Sequence, residues 1–307
     1  MSTLTSTDPA LHEFAELVGA EGPVAVQGGG TRWHLGGVLH ENARLVEAPT
    51  GIVDYEPSEM VVTVRAGTPV AELHETLRAR GQLTALPERG GTVGGAVVVG
   101  ENRLDRLGRG TVRDAVLQVR YVSAEGEIVT GGGPVVKNVS GFNIPKLIVG
   151  SLGTLGLVAE VVLRTNPLPP VQQWVRAEKV DPRDLRDALL RPGAVLWDGT
   201  SSWALAEGHQ VDVDADLERL GALADLTPVD GPPELPPYRW KLSPQGAAHV
   251  DTMTEGAFVA SIGVGTVWAD EAPDPVEPDP VAAQIAERAK QLFDPTGRLN
   301  PGRRAGG

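Results

Sequence analysis

Three successive glycines, Gly28, Gly29 and Gly30, end an extended apolar run from Val24 to Val26. A hydroxyl, Thr31, and a cation, Arg32, follow at once, and Gly36 and Gly37 close the stretch that began at Pro23. Successive glycines reach positive φ and carry no Cβ, so their N–H groups can converge on one oxygen anion. A strand ending in such a turn is either a phosphate cradle or a flexible hairpin. Spacing excludes two common nucleotide motifs. The dinucleotide pattern G-x-G-x-x-G needs glycine where Trp33 stands, and no acidic residue is expected on a strand end at the offset that motif uses. The mononucleotide P-loop needs Gly-Lys, a pair found nowhere in the chain.

Glycine then recurs in the same kind of place. Thr68 as N-cap and Pro69 at the first helical position predict a helix to Arg80, after the strand Met60–Arg65. Beyond it Gly90, Gly91, Gly94 and Gly95 open a second cluster, leading into a small-residue segment against which a flat ligand could lie. Val116–Val122 and Glu127–Thr130 read as a hairpin that ends in a third cluster, Gly131 to Gly133. The fourth, Gly150 to Gly156, precedes the strand Leu157–Arg164. Four clusters at strand ends exceed what hairpin turns require and imply a long ligand lined by backbone. At the N-terminus, Asp8 and Pro9 start a helix whose stripe is Leu11, Phe14, Ala15, Leu17 and Val18.

Asn166-Pro-Leu-Pro-Pro170 marks a domain boundary at residue 168. Past it the pattern is strand (Val171–Ala177), helix (Pro182–Leu190), strand (Ala194–Trp197), strand (Ser202–Glu207), helix (Val213–Leu223), strand (Thr227–Val229). That is the split β-α-β-β-α-β order of ferredoxin-like folds. Trp197 and Trp203 read as packing residues, and Arg239–Leu242 as a further strand. An acidic, proline-rich linker from Ala272 to Pro280 precedes a helix, Val281–Phe293, with Ile285, Ala289 and Leu292 on one face.

Composition narrows the function. The 307 residues suit two or three modules, and a 41% hydrophobic content with only 4% aromatics gives an aliphatic core. A net charge of −13 argues against nucleic acid and against an anionic membrane surface. The chain has no cysteine, which removes disulfides, thiolate metal sites, iron–sulfur ligation and a thiol nucleophile. Met1–Asp8 is polar without a signal-type apolar region, and no apolar run reaches bilayer length. A cytoplasmic protein without membrane insertion is expected.

The segments PVAVQGGGTRWHLGG, VVTVRAGTPVAELHETL, GGTVGGAV, RGTVRDAVLQVRYVSAEGEIVTGGG, VVKNVSGFNIPKLIVGSLGTLGLVAEVVLRTNP and LFDPTGRLNPGR, in this order, resemble the FAD-binding oxidases of the vanillyl-alcohol oxidase type, and among them the FAD-binding subunits of bacterial glycolate oxidases. The resemblance implies an α+β chain: a PCMH-type FAD-binding domain of two α/β subdomains over 1–168, and a small ferredoxin-like cap over 169–270. A linker, helix and return to the FAD domain follow over 271–307. It implies that Gly28, Gly29, Gly30 and Thr31 hold the FAD pyrophosphate through backbone N–H groups. Gly91, Thr92, Val93, Gly94 and Gly95 would line the ADP and isoalloxazine side. Gly141, Phe142, Gly153, Thr154 and Leu155 would form a third flavin-contact block, while Arg113 and Asp114 match a block read as structural. Covalent relatives carry a histidine within the first glycine loop; here Gly30 and Thr31 stand there and His34 is three residues too far along. Non-covalent FAD is expected.

Hydroxyacid dehydrogenases of the superfamily carry a cap signature, His-x-Gly-Asp-Gly-Asn-x-His. Here Ser261–Trp268 keeps Gly263 and Gly265 but places Ser261, Val264, Thr266 and Trp268 at the polar positions, so no metal site is expected. Three readings stay open. The first is the FAD-binding subunit of a glycolate or 2-hydroxyacid oxidase complex, passing electrons to an iron–sulfur partner subunit beside a catalytic flavoprotein. The second is a self-sufficient, metal-free FAD oxidase for another alcohol, with His249, His209, Arg239 and Lys241 as undistinguished base candidates. The third is a non-catalytic assembly subunit.

Overall fold

A computed structural model describes residues 8–133, 143–273 and 279–304. Among these, 8–103, 111–167 and 279–304 form one compact unit, and 104–110 with 168–273 form another.

The first unit starts with α1 (Pro9–Val18), capped by the Asp8 carboxylate, which accepts from Ala10 N at 2.9 Å. Leu11, Phe14 and Val18 are buried, whereas Leu17 of the expected stripe is exposed. The strand β1 (Val24–Val26) pairs in parallel with β2 (Arg44–Val46). Next come β3 (Ile52–Glu56), β4 (Val61–Arg65), α2 (Val70–Arg78) and β5 (Gln82–Thr84). Thr68 does not cap α2. Its buried hydroxyl instead accepts from Gly51 N at 2.8 Å, tying the end of β4 to the turn before β3, and Pro69 takes the cap position.

The small-residue segment after the second glycine cluster coils into α3 (Val93–Val99). Thr92 caps it, accepting from Gly95 N at 3.3 Å, and Gly100 ends it at φ +68°. The short α4 (Arg106–Arg109) belongs to the second unit. The first unit resumes with α5 (Val112–Ala115), β6 (Val116–Val122), β7 (Ile128–Gly132), α6 (Ile144–Ile148) and β8 (Leu157–Pro167). The sheet runs β3-β4-β8-β6-β7, with β5 on the far end of β8. A near-continuous apolar run suits a strand covered on both faces, and β8 accordingly sits in the middle, buried from Leu157 to Leu163. Asp114 accepts from the Thr111 hydroxyl at 2.7 Å and from Lys146 at 3.2 Å, a structural role.

In the second unit β9 (Val171–Glu178), α7 (Pro182–Ala188), β10 (Ala194–Trp197), β11 (Ser201–Gly208), α8 (Gln210–Gly221) and β12 (Leu226–Val229) realise the expected order. Their strands lie β12-β9-β11-β10, the arrangement of a ferredoxin-like unit. The chain continues through β13 (Tyr238–Lys241), α9 (Pro244–Ala247), β14 (Phe258–Ser261) and β15 (Thr266–Ala269), which extend the β10 edge as β14-β15-β13. Trp197 meets Phe258 edge-on at 5.3 Å, and Trp203 packs with Leu196 and Val259, both as packing residues. Arg109 fastens the 104–110 excursion: it donates to Asp105 and to Glu207, each at 2.6 Å, with all three side chains largely buried.

The helix α10 (Pro280–Phe293) returns to the first unit. Its packed side is not the expected one. Ala289 and Phe293 rest on the core, while Ile285 and Leu292 are exposed. Lys290 sets this rotation, because its ammonium donates inward to Thr154 O at 2.9 Å, Leu299 O at 3.2 Å and Asp294 at 2.5 Å.

Candidate functional site

A cleft in the first unit gathers the glycine loops. β1 delivers the chain into Gly28–Gly30 from a fixed position: it pairs with β2 on one side, and on the other Val24 N donates to Arg298 O at 2.9 Å and Asn300 N to Val24 O at 2.8 Å. The Asn300 side chain completes the brace. It accepts from Val26 N at 3.2 Å and donates to Leu152 O at 2.7 Å, joining β1, the fourth glycine cluster and the C-terminal segment.

The cleft has a narrow stretch of about 100 Å³ and a wider one of about 300 Å³, which share Val26, Gly28, Gly29, Thr92, Gly95, Val98 and Asn300. Gly30, Thr31, Arg32, Trp33 and Arg303 line the narrow stretch alone. Glu47, Thr50, Gly94, Gly153, Leu157 and Val158 line the wide one. The two glycine loops meet closely, backbone against backbone at Gly29 and against the Thr92 side chain at Gly28. A Cβ on Gly28 would lie 2.5 Å from the Thr92 hydroxyl, and one on Gly29 would lie 3.0 Å from Gly91 Cα.

The N–H groups of Gly28, Gly29, Gly30 and Thr31 donate to no acceptor among the described residues. Four free, neighbouring donors on an exposed loop are suited to an oxyanion. Arg32 locks the loop in place: Nε pairs with Glu101, and Nη1 donates to Gly90 O at 2.9 Å and to the Thr31 hydroxyl at 2.8 Å. Glu101 is buried, so its charge is taken up by Arg32 and, at 3.2 Å, by Arg89. Beside Glu47 and Thr50, the wide stretch offers apolar side chains and glycine backbone, a surface for a flat ring system.

Of the residues singled out in the sequence, the cleft brings together Gly28, Gly29, Gly30, Thr31, Thr92, Gly94, Gly95 and Gly153. Gly91 lies beneath the first loop. Val93, Thr154 and Leu155 are buried and do not line the cleft. Gly141 and Phe142 lie outside the described residues. His34 is exposed and lines neither stretch. His209, Arg239, Lys241 and His249 all belong to the second unit. There Ser261 ends β14 and Thr266 opens β15, with Ser261 and Trp268 buried. Among the described residues no three His, Asp or Glu side chains converge as a metal site, and no helix is long and apolar enough to cross a membrane.

One exclusion drawn from the sequence is corrected. β2 stops at Val46, so Glu47 stands just past a strand end beside β1, and it lines the wide stretch. The sequence reading also missed Asn300, Arg303 and Trp33 as cleft residues. Their signal was present in the tail Arg298-Leu-Asn-Pro-Gly-Arg303 and in the Trp33 that breaks the dinucleotide pattern.

Residues 7–132 match the FAD binding domain family. The glycolate oxidase subunit GlcE of Escherichia coli is 30% identical over 221 residues, covering 69% of this chain and 63% of that one. D-2-hydroxyglutarate dehydrogenase of Xanthomonas citri is 31% identical over 158 residues, covering 49% of this chain and 34% of its own. The chain thus spans less than two thirds of the length of these relatives. Among solved structures, an alkyldihydroxyacetonephosphate synthase aligns with a TM-score of 0.68 at 13% identity, over 95% of this chain and 73% of the other, which establishes a common fold.

Proposed function

From the match of residues 7–132 to the FAD binding domain family, we propose that this chain is the FAD-carrying subunit of an oxidoreductase acting on the CH–OH group of a small 2-hydroxyacid such as glycolate. FAD is its cofactor. The cleft fits the group: a place where two glycine loops touch, N–H donors from Gly28 to Thr31 that are unpaired among the described residues, and a wide stretch lined largely by small and apolar residues. Gly28, Gly29, Gly30 and Thr31 would hold the diphosphate through those donors. Thr92, Gly94, Gly95 and Gly153 would line the remaining length. Bound there without a covalent link, FAD supplies a two-electron acceptor for the hydride leaving a hydroxyl-bearing carbon. The protein contributes position and electrostatics: Arg32 and Glu101 keep the donors aligned, and Asn300 holds the entering strand.

The observation that carries the reading is the set of unpaired N–H groups from Gly28 to Thr31. The likeness to GlcE supports the subunit assignment. So does the hairpin Ser261–Trp268, whose side chains at the signature positions offer no base or metal ligand; a partner subunit would complete the substrate site. A cysteine-free chain cannot ligate iron–sulfur clusters, so electrons would leave through an iron–sulfur partner. A reducing, cytoplasmic setting accords with the same composition.

An anaerobic visible spectrum of the FAD-loaded chain, before and after glycolate or D-lactate, tests this. The expected flavin spectrum stays oxidised until partner subunits are added. Bleaching by the isolated chain would contradict the subunit reading and favour a self-sufficient dehydrogenase, while failure to take up FAD would remove the cofactor assignment.

A further inference from the structure

Among the described residues, the Arg303 cation on the cleft has no counter-ion. Arg303, partly buried, donates through Nη1 to the carbonyls of Leu35, at 2.8 Å, and Gly37. Its guanidinium lies over the Trp33 ring, 4.9 Å from the centroid. Among the described residues no carboxylate pairs with it. The other guanidinium on the narrow stretch, Arg32, is matched by Glu101.

A partly buried guanidinium held by carbonyls and an aromatic face keeps its full charge available for an anion. Across the same narrow stretch stand the four unpaired N–H groups of Gly28 to Thr31. A cation and several free donors around one small space suit a compact oxyanion of more than one charge. The wide stretch, by contrast, carries the Glu47 carboxylate. The cleft is therefore positive at its narrow end and negative along its wide one.

We propose that Arg303 is the charged half of an anion site and that its guanidinium pairs with the diphosphate bridge of FAD. This rests on the FAD reading given above and adds a residue from the far end of the chain. It also gives the cleft a direction: the bridge is drawn to the narrow end and kept away from Glu47. The C-terminal segment would then select ligands as well as brace β1.

The test is binding of FAD, ADP and adenosine to the apoprotein at low and raised salt, with thermal melts as a control for folding. Arg303→Met keeps the apolar stem over Trp33 and removes the charge. It is expected to weaken FAD and ADP by about tenfold or more and to flatten their salt dependence, leaving adenosine unchanged. Arg303→Lys is expected to retain salt-sensitive ADP binding. Equal losses for ADP and adenosine would reduce Arg303 to a brace for the loop at Leu35 and Gly37 and overturn the proposal, as would unchanged ADP affinity. If the methionine variant does not fold, salt-insensitive ADP binding by the native chain and by Arg303→Lys overturns it equally. A native chain that binds neither FAD nor ADP refutes the cofactor reading instead, a result distinct from all of these.

Discussion

His74 on α2 is 1% exposed, and its Nε2 lies 3.1 Å from Leu86 O. A carbonyl can only accept, so Nε2 carries the proton and the neutral ring satisfies the bond. Burial foremost, and then the nearby positive charge of Arg103, hold its pKa below the usual 6.5. The folded state thus binds this proton less readily than the unfolded one. The stabilisation is complete above the unfolded value and is lost as pH falls through it towards the folded one. Urea unfolding of the native chain at pH values on either side of about 6.5 should show lower stability on the acid side. His74→Gln, which can still donate to Leu86, should show a shallower loss, and parallel profiles would contradict this. In the sequence His74 is one of six histidines. Only the packing of α2 against the chain at Leu86 distinguishes it, and no local pattern carries that information.

Among the elements, the C-terminal segment has the most consequence for the site. Asp294 accepts from Arg298 N at 3.0 Å and Leu299 N at 2.8 Å, which turns the chain back towards β1. The buried Arg298 guanidinium then donates to Val18, Glu21, Gly22 and Ala124 carbonyls at 2.8–3.1 Å. Arg298→Met takes this donor from the Glu21, Gly22 and Ala124 carbonyls, while Val18 O keeps Arg44 at 3.0 Å, and should cost about 2–4 kcal/mol of stability in denaturant unfolding; a change within about 0.5 kcal/mol would contradict the brace. Local signals made much of this level legible. Asp8 with Pro9 announced α1, and the apolar run Leu157–Leu163 announced a strand buried on both faces. The helix α3 was hidden, since its glycines and valines have poor helix propensity and Thr92 holds it by capping. The rotation of α10 was hidden as well, because the Lys290 anchor at Thr154 depends on contacts remote in sequence.

For the whole molecule, the two units differ in how far they could be read. The ferredoxin-like order of the second was visible in alternating strand and helix patterns, and its sheet adopts the matching strand order. The membership of 104–110 was not visible, because Arg109 meets Glu207 across 98 residues. Arg109→Met should remove the cation that Asp105 and Glu207 share and lower stability by about 1–3 kcal/mol, read from thermal or denaturant unfolding, whereas a near-neutral change would contradict the role assigned to this triad. In the first unit the glycine loops were legible as a site, but the wall formed by Asn300 and Arg303 required the chain to return. The most direct measurement is an equilibrium titration of the apoprotein with FAD, comparing the native chain with Gly29→Val, whose added side chain would press on the Gly91 backbone. Stoichiometric FAD binding by the native chain, released on acid denaturation and lost in a variant that remains folded by circular dichroism, is the expected result. Equal FAD binding by both proteins, or none by the native chain, would contradict the placement of the cofactor between the two glycine loops.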